Sequence, residues 1–152
     1  MAKARTCLWF NAGGEDAVAF YVDLIENSRI NAVHRPAPDA PPILIEFTLA
    51  GAPYSALCTD GGPEHDAAAS VAMVLETQEE ADRIYDALMA RGGEEVQCGW
   101  VTDAWGIRWQ VIPEGMYGAL FSDDADANAK AHRAMLTMTR LDVAAVEAAR
   151  QS

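Results

Sequence analysis

The side chains that most often carry chemistry are scattered along this chain. Three cysteines, Cys7, Cys58 and Cys98, lie far apart without a CxxC pair, which argues against a disulfide framework and a thiolate zinc site. Cys98 precedes Gly99 and Trp100, but no histidine or cationic cluster lies nearby in sequence to activate it, so we interpret it as structural. The histidines fall in a predicted strand end, a linker and the tail, and share no face: His34, His65 and His132.

One glycine-rich segment, residues 11–14, precedes a predicted helix in the manner of a phosphate-binding turn. Glu15 and Asp16 follow it directly, and their carboxylates would repel an anion at the helix N-terminus while favouring the helix dipole. We therefore interpret the segment as a turn and helix cap.

Length and charge narrow the class of protein. The chain of 152 residues, 51% of them hydrophobic, is long enough for one domain with a sizeable core. A net charge of -12 disfavours binding to nucleic acid and to anionic membranes. No apolar run approaches a bilayer span and the N-terminus does not resemble a signal peptide, so we expect a cytoplasmic protein.

An internal repeat organises the chain. Residues 15–25 and 79–89 have helical patterns with the same sequence motif. In each, Glu, an acidic residue and Ala are followed by an apolar residue with Tyr and then by two apolar residues, and the same number of positions separates every matching pair. Thr77 and Glu80 form a capping box for the second helix, and glycines 92 and 93 end it.

Strand-like runs surround each helix. In the first half they cover residues 6–10, 28–34, 43–49 and 54–59, with a tight turn at 51–53 and a Pro-rich loop at 36–42. In the second half they cover 70–75, 94–98, 100–102 and 106–112. The pattern predicts an α+β fold of two βαβββ modules, residues 1–62 and 68–113.

Beyond Pro113 the pattern becomes helical, and residues 114–152 are predicted to be an extension of the same domain. Aspartates 123, 124 and 126 lie near one helix start, and Asp142 is a plausible N-cap for the last helix. An apolar stripe in this tail must be covered by its own domain or by a second copy, and we expect a homodimer: Ala131, Ala134, Met135 and Met138.

The motifs resemble a known family. Residues 8–10 and 19–21 are similar to the opening of vicinal-oxygen-chelate (glyoxalase/bleomycin-resistance/dioxygenase) proteins. Residues 60–63, 98–100 and 103–111 are similar to its PhnB-like branch, often labelled 3-demethylubiquinone-9 3-methyltransferase. The resemblance covers nearly the whole chain and implies two curved sheets around a cavity, commonly in a homodimer.

The resemblance also implies where a metal would bind, since superfamily members hold theirs with His, Glu or Gln on the first and last strand of each module. Carried over, these positions are Thr6, Ser70 and Gln110, while the last strand of the first module supplies residues 54, 56 and 58 or residues 55, 57 and 59. Neither set contains a carboxylate or imidazole, so we expect no metal and no other cofactor.

If Thr6, Ser70 and Gln110 line a cavity, strand alternation places Leu8, Phe10, Ala72, Val74 and Arg108 on the same inner faces. It places Trp9, Ile107, Trp109 and Val111 toward the helices. Arg108 either holds an anionic group of a ligand or pairs with Asp103. Trp100 and Trp105 either stack on a planar ligand or belong to the core. The resulting candidate ligand-binding set is Thr6, Leu8, Phe10, Ser70, Trp100, Arg108 and Gln110.

Two functions fit this cavity. The first is metal-independent binding of a small molecule, as in sequestering proteins. The second is an enzyme of the same superfamily, a lyase, dioxygenase or transferase, acting on a small organic substrate. Stoichiometric binding without turnover distinguishes the first from the second.

Overall fold

A computed structural model describes all residues, 1–152, and contains the two predicted βαβββ modules. Strand, helix and three further strands follow one another in each module, so the α+β prediction is confirmed. The first module consists of β1 (Thr6–Phe10), α1 (Gly14–Leu24), β2 (Arg29–His34), β3 (Leu44–Leu49) and β4 (Ala52–Cys58). The second consists of β5 (Val71–Leu75), α2 (Gln78–Ala90), β6 (Glu94–Glu95), β7 (Trp100–Thr102) and β8 (Arg108–Pro113).

The two sheets have the same topology. Their orders are β1-β4-β3-β2 and β5-β8-β7-β6, with the first and last strand of each module parallel and the other neighbours antiparallel. By its internal contacts the chain divides into two compact units, Met1–Glu64 and His65–Ser152.

In the first unit, helix α1 covers one face of the sheet. Its buried Tyr21 lies against Phe10, with ring centroids 6.4 Å apart, and the helix packs on the apolar residues of β3. Gly14 begins the helix at a close approach, because a Cβ there would lie 2.5 Å from the sulfur of Cys58. The residues that fill this core are Phe10, Ala17, Val18, Tyr21, Ile45, Phe47, Leu49 and Ala56.

The β3–β4 turn differs from the sequence prediction. Ala50 and Gly51 form it, both with positive φ, and pairing resumes at Leu49 and Ala52. Such a two-residue turn matches the twist of the flanking strands. Strand β4 therefore begins two residues earlier than predicted. In the second module, β6 ends at Glu95, shorter than the predicted strand.

Helix α2 covers the second sheet in the same way. Thr77 caps it by accepting a hydrogen bond from the Glu80 backbone N–H, as the capping box predicts. The helix ends at Ala90, before the two glycines. Its buried residues share the core with alternate residues of the sheet, so the predicted helical face is confirmed: Ala81, Ile84, Tyr85 and Leu88 with Val71, Met73, Val101, Trp109 and Val111.

The tail forms three helices, α3 (Gly115–Leu120), α4 (Ala125–Met135) and α5 (Val143–Arg150). Asp124 and Asp142 cap the last two. Much of the predicted apolar stripe is covered within the second unit, since Ala131 is buried in the tail's own core and the two methionines of the stripe pack against it. The homodimer stays a prediction. No helix of the chain is both long and apolar enough to cross a bilayer.

Hydrogen bonds fasten the tail to the second module. The Gln78 side chain donates to the Leu141 carbonyl at 2.8 Å and accepts from the Val143 N–H at 3.0 Å. The backbone N–H groups of Cys98 and Gly99 donate to the carbonyls of residues 138 and 139. The segment before α5 is thereby held against the loop that precedes β7.

Candidate functional site

The sheet face opposite α2, here called the second open face, carries the polar residues predicted for the second module. Gln110 of β8 lies between Ala72 of β5 and Trp100 of β7 in register. Its Nε2 donates to the hydroxyl of Ser70 at 2.8 Å. Arg108 pairs with Thr102 on the same face, so Ser70, Trp100, Arg108 and Gln110 are brought together as strand alternation predicts.

Arg108 is half-buried, and its guanidinium is anchored by its own module. Nη1 donates to the backbone carbonyls of Gly106, at 2.8 Å, and His65. Of the two alternatives, the Arg108 guanidinium therefore forms hydrogen bonds to backbone carbonyls and does not pair with Asp103. Because both bonds use the same nitrogen, Nη2 and Nε remain available as donors to an anionic group.

Asp103 has a structural role at the turn before β8. Its Oδ1 accepts from the backbone N–H groups of Trp105 and Ile107, and its Oδ2 accepts from the Trp109 indole N–H at 2.9 Å. A buried carboxylate requires such partners. They fix the turn that places Arg108 on the second open face.

In the first module the predicted face is wrong. Thr6, Leu8 and Phe10 pair in register with Tyr54, Ala56 and Cys58, and these positions lie on the side that α1 covers. The reason is a difference in connection length, three residues between β1 and α1 against two between β5 and α2. A shift of one residue moves every side chain of a strand to the other face.

The opposite side of the first sheet, here called the first open face, therefore carries Cys7, Trp9, Ser55 and Leu57. Trp9 was predicted to face the helix, and the same one-residue shift makes that prediction wrong. Of the two alternatives for β4, the structure selects residues 55 and 57 for this face. Cys58 lies on the helix side, where burial raises the pKa of its thiol. The Trp9 indole donates to the Thr59 carbonyl at 2.8 Å, which fixes its orientation.

The first open face also holds a charged cluster that sequence analysis missed. His34 of β2 approaches Glu46 of β3, with Nε2 3.1 Å from Oε2, and Arg5 contacts the other carboxylate oxygen. Hydrogen bonds from His34 and from Arg5 hold the pKa of Glu46 below its ordinary value. The alternation of Glu46 with apolar neighbours was visible in sequence, but the register that brings it to His34 was not.

A groove of about 300 Å³ lies where β1 leads into α1. Gly13 is the helix N-cap in a left-handed conformation without a side-chain cap, so the segment is the predicted turn and cap. Acidic residues line the groove together with apolar ones, which disfavours an anion there: Glu15, Asp16 and Asp60, with Phe10, Pro41, Pro42 and Cys58.

Two other candidates have structural partners. Cys98 adopts a positive φ of 59°, its N–H donates to the Met138 carbonyl, and its sulfur lies 3.7 Å from the Met135 carbonyl oxygen, which supports the interpretation of a structural thiol. The guanidinium of Arg91 lies over the Trp105 ring at 5.2 Å, so Trp105 stacks on the protein's own cation.

Two βαβββ modules, each a mixed four-stranded sheet covered by one helix, define the vicinal-oxygen-chelate class of fold. The family profile described as 3-demethylubiquinone-9 3-methyltransferase matches residues 2–112. The chain therefore belongs to this PhnB-like family, and the helical tail lies beyond the matched region. Among curated proteins, none matches the sequence.

Solved structures agree on the fold. A putative 3-demethylubiquinone-9 3-methyltransferase, PhnB protein, from Bacillus cereus has 26% identity and a TM-score of 0.67, over 74% of this chain and 99% of that one. The genomically encoded fosfomycin resistance protein FosX from Listeria monocytogenes has 14% identity and a TM-score of 0.59, over 80% and 98%. A FosX structure complexed with Mn(II) and sulfate has 17% identity and a TM-score of 0.54, over 71% and 88%.

On the first and last strands of the two modules, the residues that face the open sides do not fit such a metal. Mn(II) prefers carboxylate, imidazole and water ligands. On the first and last strands, the polar groups facing the open sides are the hydroxyls of Ser55 and Ser70, the amide of Gln110, the guanidinium of Arg108 and the thiol of Cys7. Nowhere in the chain do three or more His, Cys, Asp or Glu side chains gather closely enough to hold a metal ion.

Proposed function

We propose that this chain is a metal-independent small-molecule-binding member of its family and that the ligand lies on the second open face. One observation carries the proposal: Ser70, Arg108 and Gln110 converge there beside the half-buried Trp100 ring. A few polar groups set among apolar and aromatic side chains are the usual composition of small-molecule sites.

The hydrogen bonds of this face indicate the ligand's chemistry. Because Gln110 uses Nε2 to bond Ser70, its Oε1 is left to accept from a ligand. Arg108 offers Nη2 and Nε to a carboxylate or phosphate, and Trp100 lies next to Gln110 with a flat apolar surface. An aromatic molecule with one anionic group matches this arrangement.

An enzyme of the superfamily is the alternative. A binding protein would release benzoate or phenyl phosphate unchanged, whereas an enzyme would convert its ligand and lose activity when one polar residue of the face was removed. Incubation of each probe with the protein, followed by mass spectrometry, separates the two.

We predict that Arg108→Met and Gln110→Leu weaken binding of benzoate or phenyl phosphate, measured by thermal shift and by calorimetry. Binding to the native state raises apparent stability whatever the ligand does next. Losing a charge-assisted hydrogen bond should cost on the order of 1.5 to 3 kcal/mol, or roughly tenfold or more in affinity, for Arg108→Met.

Arg133→Met is the matched control, because Arg133 is exposed on the tail helix α4 and its replacement removes the same charge. It should leave affinity unchanged, and benzyl alcohol, which has the ring without the anion, should be insensitive to Arg108→Met. If both Arg108→Met and Gln110→Leu bind the probes as tightly as the parent protein, the second open face is not the site.

A further inference from the structure

The charged cluster on the first open face contains a histidine hydrogen-bonded to a carboxylate, an arrangement that can accept a proton. Arg5 contacts Oε1 of Glu46, and Nε2 of His34 lies 3.1 Å from Oε2. These hydrogen bonds keep the pKa of Glu46 below its ordinary value, so its carboxylate is ionised at neutral pH. His34 and Glu46 come from the neighbouring strands β2 and β3, so the sheet fixes their relative positions, and Arg5 lies just before β1.

The ionised carboxylate sets the tautomer of His34. A carboxylate only accepts hydrogen bonds, so Nε2 of a neutral His34 carries the proton that Glu46 accepts. Nδ1 is then the nitrogen with the free lone pair, and it is the atom that can accept a proton from a ligand. More than half of the His34 side chain is exposed, so the imidazole ring is accessible to a ligand.

An apolar row leads up to this nitrogen. In register across the sheet, His34 of β2 lies opposite Leu44 of β3, Leu44 lies opposite Leu57 of β4, and Leu57 lies opposite Trp9 of β1. Leu44, Leu57 and Trp9 are each half-buried. An apolar ring laid along this row would place a polar substituent beside His34.

We propose that the first open face binds a weakly acidic hydroxyaromatic molecule, a phenol, and takes its proton. The O–H bond of the phenol breaks, its proton joins Nδ1 of His34, and the bonding electron pair stays on the phenolate oxygen. The phenolate and the imidazolium remain paired, Glu46 holds the imidazolium and Arg5 holds Glu46. His34 is the residue that touches the ligand, while Glu46 and Arg5 are positioning residues.

The test uses 4-nitrophenol, whose anion absorbs visible light and whose neutral form does not. At a pH where the free probe is mostly neutral, adding the parent protein should produce the anion band in proportion to binding. His34→Gln should reduce the affinity for the anionic form by about tenfold or more, since it removes the proton acceptor. Glu46→Gln should leave the probe bound largely in its neutral form, a spectral change that lost packing alone would not cause.

His132→Gln is the control variant, because it removes an imidazole from the tail helix α4, where His132 lies against Phe121. It should leave the anion band intact. The titrations are also made in the Arg108→Met background, so that nitrophenolate held by Arg108 on the second open face is not counted. Far-UV circular dichroism and urea unfolding of each variant confirm that it is folded. The proposal is overturned if the parent protein yields no anion band, or if His34→Gln in the Arg108→Met background retains it.

Discussion

Replacing Gly99 with alanine is expected to lower the free energy of unfolding by about 3 kcal/mol, from backbone strain and overpacking together. Gly99 has a φ of +80°, which L side chains rarely adopt. An added Cβ would also lie 2.8 Å from Leu141 Cγ and 2.9 Å from the Val111 carbonyl oxygen. The latter is backbone of β8, so it cannot move aside without disturbing the strand.

The position joins three parts of the second unit. The Gly99 N–H donates to the Thr139 carbonyl at 2.7 Å, and its own carbonyl accepts from the Val111 N–H at 2.9 Å. Trp100 follows Gly99 in sequence and Gln110 precedes Val111, and both residues belong to the second open face. Loss of the close approach should therefore loosen the tail and the candidate site together.

Gly106→Ala is the matched control, because Gly106 has a φ of +88° and no atom within 4 Å of an added Cβ. It should cost only the left-handed strain, about 1 kcal/mol. Urea unfolding at one temperature compares the two variants directly. Equal losses for Gly99→Ala and Gly106→Ala would show that the tail does not pack on residue 99 as described.

Removing the Asp103 carboxylate is expected to have an effect of similar size. Asp103→Ala deprives three N–H groups of their acceptor: the backbone of Trp105, the backbone of Ile107 and the indole of Trp109. Ile107 and Trp109 are 2% and 0% exposed, so water does not readily replace the lost partner. Each unpaired buried donor costs about 1 to 3 kcal/mol, and we expect a total of about 3 kcal/mol or more.

Asp142→Ala serves as the comparison, since Asp142 accepts one hydrogen bond as an exposed helix cap and its loss should cost about 1 kcal/mol. Asp103→Asn should fall between the two, because its amide oxygen can still serve the turn while its NH₂ faces the indole N–H. Urea midpoints rank the three variants. If Asp103→Ala is no less stable than Asp142→Ala, Asp103 does not organise the turn before β8.

The two faces of a strand can be assigned from sequence only where one alternating set of residues is apolar and the other is polar. In β8 the set Trp109 and Val111 is apolar while Arg108 and Gln110 are polar, so alternation assigns both faces correctly. In β1 both alternating sets contain large apolar residues, so the strand itself does not reveal which side is buried. The buried side of β1 could therefore be inferred only from the comparison with the second module.

The internal repeat supplied a misleading answer for β1. Helix residues Ala17 and Ala81 are 64 positions apart, whereas the strand ends Phe10 and Leu75 are 65 apart. A single additional residue in the first strand-to-helix connection accounts for the difference. Repeat offsets that hold for helices therefore do not fix the faces of neighbouring strands.

The cluster around His34 lay beyond sequence reasoning for a different reason. His34 and Glu46 are separated by a Pro-rich loop, and the β2–β3 register includes a shift between Ile30 and Ala32. A bulge of this kind changes which residues face one another, and no local sequence motif predicts it. The pairing of His34 with Glu46 depends on that register, which only the folded sheet displays.

If the open faces bind organic molecules without a divalent metal, titration of the protein with Mn(II) should reveal no metal site. Free Mn(II) is measured by its electron paramagnetic resonance signal, in enough salt to screen the acidic surface. We expect added Mn(II) to stay free up to one equivalent per chain. Saturable binding of one Mn(II) per chain that is lost in Gln110→Leu would contradict it.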